Sequence, residues 1–260
     1  MGNLKIATWN MQGATSNNDA STFMKAISYM KNYGINVFCI QEAGILSKSS
    51  QMKWKQVNYN PNIWEFEVTY RVDQHTYNGY WMEYYLSNDN PNLRCSMAII
   101  LKDCDKRFTL LYAKPDDKDY EKCRPIIGIS LGGVKIYNVH SPSANTGYTQ
   151  GYIKHMVSKL GINGENWFLC GDFNCPPCKY ADYFRVLFAN NGLSKCNGHS
   201  KGLCDYSRCE CSYTQGSGLC LDYALLYYPY KQDQIIGSAN IIDNNFYFSD
   251  HLPVLFDIYF

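Results

Sequence analysis

The chain has 260 residues, 46% hydrophobic and 18% charged, with a formal net charge of +1. That length and apolar content allow one large α/β or β-sandwich unit with a sizeable core. The near-neutral balance excludes a long electrostatic grip on duplex nucleic acid, because Lys and Arg neutralising phosphates supply most of such affinity. Any nucleic-acid contact must then be short, transient or confined to a local patch.

In chain order, Leu4 to Trp9 is the first strand-like run, and it leads to Asn10. Asp19 or Ser21 can cap a helix with Phe23, Ile27 and Met30 on one face, and Gly34 suits its stop. Ile35 to Ile40 leads to Gln41-Glu42. Asn58 to Leu111 reads as strands and loops rich in Tyr. Val134 to Val139 leads to His140. Thr149 to Leu160 places Tyr152, Ile153, Met156, Val157 and Leu160 on one stripe, closed by Gly161. Trp167 to Cys170 leads to Gly171-Asp172-Phe173-Asn174. Tyr183, Phe184, Val186 and Leu187 predict a third helix ending near Gly192. Residues 196–220 lack periodicity and read as a long surface loop. In the last two runs the polar group comes first: Asp222 opens Tyr223 to Tyr228, and Asp250-His251 precedes Val254 to Phe260. No repeat or linker interrupts the chain, so the expected organisation is one domain over 1–260 with a Cys-rich loop at about 175–220.

Of twelve cysteines, seven crowd together: Cys175, Cys178, Cys196, Cys204, Cys209, Cys211 and Cys220. An even, high count favours an oxidising compartment and a disulfide-stapled loop. Zinc on this cluster with His199 is the alternative, weakened by irregular spacing. Cys39 and Cys170 lie inside strand-like runs and are expected as buried thiols. The Met1-Gly2 start is read as replacing a removed signal peptide, with a natural cytosolic start as the alternative, so secretion is the expectation. No apolar run approaches a membrane span, and Ile6 breaks the myristoylation pattern.

The six strand-like runs that carry polar ends deliver acids, amides and histidines to one edge, as a site on a rigid scaffold requires. Glu42 can bind a hard cation such as magnesium, and Asn10 can hold the Glu42 carboxylate or a metal-bound water. Asp172 can orient or deprotonate water, and Asn174 can donate to a phosphate oxygen. His251 can act as a general base with Asp222 as its orienting carboxylate, and Asp250 would lie near the metal. His140 can donate to a phosphate or protonate the leaving oxygen. Arg124 can hold a phosphate bidentately. Alone, each also fits a turn, a surface ion pair or a core histidine. Together they supply a base, a Lewis acid and positive groups for in-line attack on a phosphodiester. His75, His155 and His199 have no such context and read as structural or solvated.

The ordered set Thr8-Trp9-Asn10, Gln41-Glu42, Gly171-Asp172-Phe173-Asn174, Leu221-Asp222-Tyr223 and Ser249-Asp250-His251 resembles the endonuclease/exonuclease/phosphatase superfamily. Within it, Thr8 to Gly13, Gln41-Glu42-Ala43-Gly44, Arg124 to Ile129 and Leu221 to Ala224 are similar to the B subunits of cytolethal distending toxins. The resemblance implies a DNase I-like four-layered α/β sandwich, two face-to-face mixed β-sheets flanked by helices. It implies a magnesium-dependent endodeoxyribonuclease, with another divalent cation as an option and DNA held transiently by its phosphate backbone. It assigns His251 as base with Asp222, His140 as acid or phosphate donor, Glu42 as metal ligand with Asp250 and Asn10 nearby, and Asp172, Asn174 and Arg124 at the phosphate. It also implies toxin delivery subunits and action in a host nucleus. A phosphoinositide phosphatase or phospholipid phosphodiesterase is the alternative on the same fold, and a catalytically weak effector or binding protein is the third reading. Departures from the pattern are Cys175-Pro176-Pro177-Cys178 where a basic residue is usual, five cysteines ahead of Leu221, and only Glu83 as a candidate acidic partner for His140.

Overall fold

The computed structural model describes residues 3–12, 19–45, 52–60, 63–87, 90–91, 96–103, 109–113, 118–119, 123–131, 133–160, 166–177, 185–188, 214–216, 220–227, 236–242 and 249–259. In chain order the elements are β1 (Asn3–Asn10), α1 (Asp19–Tyr33), β2 (Val37–Gln41), β3 (Met52–Asn60), β4 (Ile63–Val72), β5 (His75–Ser87), β6 (Asn90–Pro91), β7 (Met97–Lys102) and β8 (Thr109–Ala113). They continue with β9 (Ile126–Leu131), β10 (Val134–His140), α2 (Thr146–Leu160), β11 (Trp167–Asp172), β12 (Arg185–Phe188), β13 (Asp222–Tyr227), β14 (Ile236–Ile241) and β15 (Val254–Tyr259).

The six runs with polar ends are all strands, and their near-continuous apolar character has a simple cause. Each lies in a sheet covered on both faces. Strand alternation sends Val37 and Cys39 of β2 between the sheets, while Phe38 and Ile40 face α1. In β11, Phe168 and Cys170 point between the sheets, and Trp167 and Leu169 pack with α2. Three apolar clusters therefore fill the gaps between four layers: α1, a nine-stranded sheet, a six-stranded sheet and α2. This is the four-layered sandwich that the resemblance implies.

The first sheet has the order β14-β15-β1-β2-β7-β5-β4-β3, with β6 on β5. The second has the order β12-β13-β11-β10-β9-β8. Both are mixed, with one parallel pair in each: β1 with β2, and β10 with β11. The neighbours outside these pairs, β15 and β13, run antiparallel.

The helices follow the periodicity. Ala26, Ile27, Tyr29 and Met30 of α1 are buried, and Gly34 ends it with φ 68°. Thr149, Tyr152, Ile153, Met156, Val157 and Leu160 are the buried stripe of α2. The predicted third helix is corrected. Arg185–Phe188 is a strand paired with β13, with Leu187 opposite Ala224. A short apolar run does not by itself separate helix from strand, and here pairing with β13 decides.

The cysteines divide. Cys39 and Cys170 are buried free thiols, as expected. Cys175 and Cys220 are also buried thiols outside any disulfide, in the apolar cluster beneath α2, so disulfide stapling does not extend to these two. Cysteine serves there as a small hydrophobe. Cys178, Cys196, His199, Cys204, Cys209 and Cys211 lie outside the described residues.

Candidate active site

Strand direction explains the two kinds of polar end. The parallel pairs place their C-termini at one edge, so Asn10 is level with Gln41 and His140 is level with Asp172. β13 runs the other way beside β11, so its first residue, Asp222, is opposite Asp172. β15 runs against β1, with Val254 opposite Thr8, which brings His251 to the same edge. Polar-last runs and polar-first runs thus converge.

Two backbone features set this edge. Glu42 has φ 48°, a region costly for a residue with a Cβ. Hydrogen bonds from Met11 N to Gln41 O (2.9 Å) and from Ala43 N to Ser96 O (2.9 Å) hold it there. Gly171 has φ 148°, and a Cβ there would lie 1.9 Å from Val139 O. Only glycine lets β11 approach β10 closely enough to pair Asp172 with His140.

The side chains meet at Asp172. Asn10 Nδ2 donates to Asp172 Oδ2 (2.9 Å) and to Glu42 Oε1 (3.2 Å). His140 Nε2 lies 3.8 Å from Asp172 Oδ2 and 3.7 Å from Glu42 Oε1. His251 Nε2 lies 3.9 Å from Asp172 Oδ2 and 3.7 Å from Asp250 Oδ1. Its Nδ1 is 2.8 Å from Asp222 Oδ2, the pairing expected of an orienting carboxylate. Asn174 N donates to Asp172 Oδ1 (2.9 Å), and its Nδ2 donates to Ser141 O (3.0 Å). The Arg124 guanidinium points its Nη1 at His140 O and Ser141 O, 3.4 Å from each. All nine sequence-predicted site residues therefore lie at this edge. Asn10 turns its amide nitrogen, not its oxygen, toward the two carboxylates. Arg124 braces the strand end that carries His140.

Charge is crowded here. Burial, then the neighbouring Asp222, raises the Asp172 carboxyl to about 6. Burial opposes a charged His251, but Asp222, Asp172 and Asp250 outweigh it and raise the imidazole to about 10. An imidazole with three carboxylates around it keeps its proton.

No family model and no curated protein sequence matches the chain. Solved structures do. The chain superposes on CdtB, the biologically active subunit of cytolethal distending toxin, with a TM-score of 0.71 at 18% identity, covering 97% of this chain and 96% of that one. The fold is that of CdtB. The cytolethal distending toxin of Actinobacillus actinomycetemcomitans matches with a TM-score of 0.67 at 20% identity, over 97% of each chain. A structure of D. rerio TDP2 complexed with single strand DNA product matches with a TM-score of 0.55 at 13% identity, over 100% of each chain.

On this CdtB-type fold the residues present fit a divalent cation. Glu42, Asp172, Asp222 and Asp250 gather around two imidazoles, so acid outweighs base even with both histidines protonated. Asp222 Oδ1 and Asp250 Oδ1 are buried acceptors without a hydrogen-bond partner among the described residues. A hard cation takes such oxygens. The group found among described residues with ligand atoms all within 4.8 Å of one another is Asp172, Asp222 and His251. Its Asp222–His251 contact is a hydrogen bond, which suits proton transfer. Glu42 and Asp250 flank it, each with a carboxylate oxygen 3.7 Å from an imidazole nitrogen.

Several supporting residues escaped the sequence reading. Asn138, two residues before His140, is fully buried and crosses between the sheets. Its Nδ2 donates to Ile40 O and Ala98 O (2.9 Å each), and its Oδ1 accepts from Gln41 Nε2 (2.6 Å). Gln41 Nε2 also donates to Thr8 Oγ1 (2.9 Å). This network ties the strand of His140 to the strand that leads into Glu42. An amide alternating with apolar residues inside a strand was the available signal. Ser249 Oγ donates to Asn10 O (2.6 Å) and accepts from His251 N (3.0 Å), a local turn that a serine two residues before a histidine can announce.

Proposed function

We propose that this protein is a metal-dependent phosphodiesterase that nicks DNA. The observation that carries this reading is the convergence of His251 and His140, from different sheets, on Asp172, with Asp222 behind His251. His251 Nδ1–H donates a hydrogen bond to Asp222, which leaves Nε2 as the basic nitrogen that takes a proton from the attacking water. His140 Nε2, on the other side of Asp172, donates to the phosphate or to the leaving oxygen. Asn174 and Arg124 hold the strand ends around Ser141 and add a donor and a positive charge beside the phosphate. Glu42 and Asp250 would hold magnesium or another divalent cation, with Asn10 fixing the Glu42 carboxylate. That cation would polarise a phosphoryl oxygen and offset the carboxylate charge that keeps His251 protonated. The likeness to a toxin subunit and to a phosphodiester-binding structure supports DNA as substrate, and supports secretion, delivery by partner subunits and action inside a host nucleus as parts of one reading.

The test is relaxation of supercoiled plasmid with magnesium, abolished by EDTA and by His251→Ala. No nicking at high enzyme concentration would sink the reading. The net charge of +1 favours one second reading, a phosphatase or phosphodiesterase on an inositol lipid head group. Phosphate release from inositol lipids with plasmid untouched selects it. Neither activity, with magnesium still bound through Glu42, leaves a binding effector.

A further inference from the structure

The Asp222–His251 pair is brought together by two separate chain segments, and neither packs on the other by sheet pairing. A third segment, Thr214–Gly216, lies against both. Thr214 is fully buried. Its Oγ1 accepts hydrogen bonds from Leu221 N and Asp222 N, 3.0 Å each, at the start of β13. Its carbonyl accepts from Leu252 N (2.7 Å). Gln215 forms an antiparallel bridge with His251, and Gly216 N donates to Asp250 O (2.7 Å). One residue therefore holds the backbone of the carboxylate with its hydroxyl and the backbone beside the imidazole with its carbonyl.

We propose that Thr214 is a positioning residue of the hydrolytic site, clamping the start of β13 to the Asp250–Leu252 segment so that Asp222 and His251 keep their register. The inference rests on the reading of His251 as the general base. The physical argument is one of tolerance. The Asp222–His251 bond is 2.8 Å, and His251 Nε2 must also face the attacking water. A displacement of about 1 Å at such a group costs about a hundredfold in rate. Neither β13 nor β15 fixes the other, because β11 and β1, in different sheets, are their partners. Thr214 is a backbone-level link described between them, with its hydroxyl on the start of β13 and its carbonyl on Leu252 N. A valine has nearly the same shape and no acceptor, and it would leave two buried N–H groups without a partner. A serine keeps the acceptor and loses only a methyl group.

The experiment compares Thr214→Val and Thr214→Ser in magnesium-dependent plasmid nicking, below the melting transition of each. Thr214→Val is expected to lower kcat by about 10- to 100-fold with KM within about threefold of wild type. Thr214→Ser is expected to stay within about threefold in both. The low-field NMR resonance of the proton between His251 Nδ1 and Asp222 is expected to shift or broaden in Thr214→Val alone. Normal kcat in folded Thr214→Val, or a Thr214→Ser variant as slow as Thr214→Val, overturns the proposal. If the wild type nicks no DNA, the nuclease reading fails, and the NMR comparison alone decides: an unmoved resonance in Thr214→Val overturns the clamp, and a moved one supports it. If Thr214→Val does not fold, amide exchange in the wild type decides, since fast exchange at Asp222 or Leu252 overturns the proposal and slow exchange at both supports it.

Discussion

His251 carries the sharpest consequence of the site's charge. Its imidazole is raised from an ordinary 6.5 to about 10 by Asp222, Asp172 and Asp250, against the effect of burial. The folded state thus binds a proton that the unfolded state releases near neutrality. The resulting stabilisation is fully present below about pH 6.5 and is lost as pH rises through about 10. Metal-free protein should therefore lose on the order of a few kcal/mol of stability between these values and melt at progressively lower temperature. Asp222→Asn removes the nearest carboxylate, and its melting curve should be flatter over the same window. Thermal melts of both proteins in EDTA check this, and a wild-type curve as flat as that of the variant would refute it. Magnesium should lower the His251 value in an NMR titration, because positive charge at the carboxylates competes with the proton. Glu42→Gln tests the cation from the other side. It removes one anionic oxygen from a candidate ligand, and the magnesium needed for half-maximal nicking should rise about tenfold or more.

At the scale of strands, direction matters more than composition. Four runs end on their polar residues and two begin on them, and the structure turns that difference into antiparallel β13 and β15 beside two parallel pairs. The sequence therefore carried the strands and the edge they share, because each run places its polar end at the same edge of the paired strands. It carried less about how the sheets are joined. Asn138 is an amide within an apolar run, and without knowledge of the facing strand its bonds to Ile40 and Ala98 carbonyls are invisible. Arg185–Phe188 was misread because a run with only three apolar residues fits a helix as well as a strand, and its partner β13 lies far along the chain. Cys175 and Cys220 were misread because clustering in sequence counts cysteines but does not separate a disulfide from an apolar core. Gly171 is the strand-scale test. A Cβ 1.9 Å from Val139 O cannot be absorbed by a side-chain rotation, since the atom it meets is backbone. Gly171→Ala should part β11 from β10 beside His140 and Asp172, destabilise the protein by about 3 kcal/mol, and abolish nicking even in the folded fraction. Urea unfolding followed by activity per folded molecule measures both. Unchanged stability would mean that the pair of strands is not held at this spacing.

For the molecule as a whole, net charge limits how it can hold a polyanion. Counterion release makes DNA affinity fall with salt in proportion to the phosphates neutralised. A chain of net charge +1 has no global field to recruit duplex. The basic side chain described at the active edge is Arg124, and its Nη1 is occupied by the carbonyls of His140 and Ser141. Contact with one or two phosphates predicts that KM for plasmid rises only about three- to tenfold between about 50 and 200 mM salt, where a protein gripping six to ten phosphates would lose about a thousandfold or more. Nicking would then be fast only where the scissile phosphate itself is well placed, and kcat would be nearly insensitive to salt because the catalytic groups are buried. Initial rates over a salt series at fixed magnesium check both halves. A steep rise in KM would assign a larger basic surface to DNA than the edge around Asp172 provides, and would weaken the case for a small phosphorylated head group as the substrate. A shallow rise leaves both substrates open to the direct competition: plasmid nicking measured with increasing inositol lipid. Inhibition with a lipid constant below the plasmid KM would favour the head group, and indifference to lipid would favour DNA.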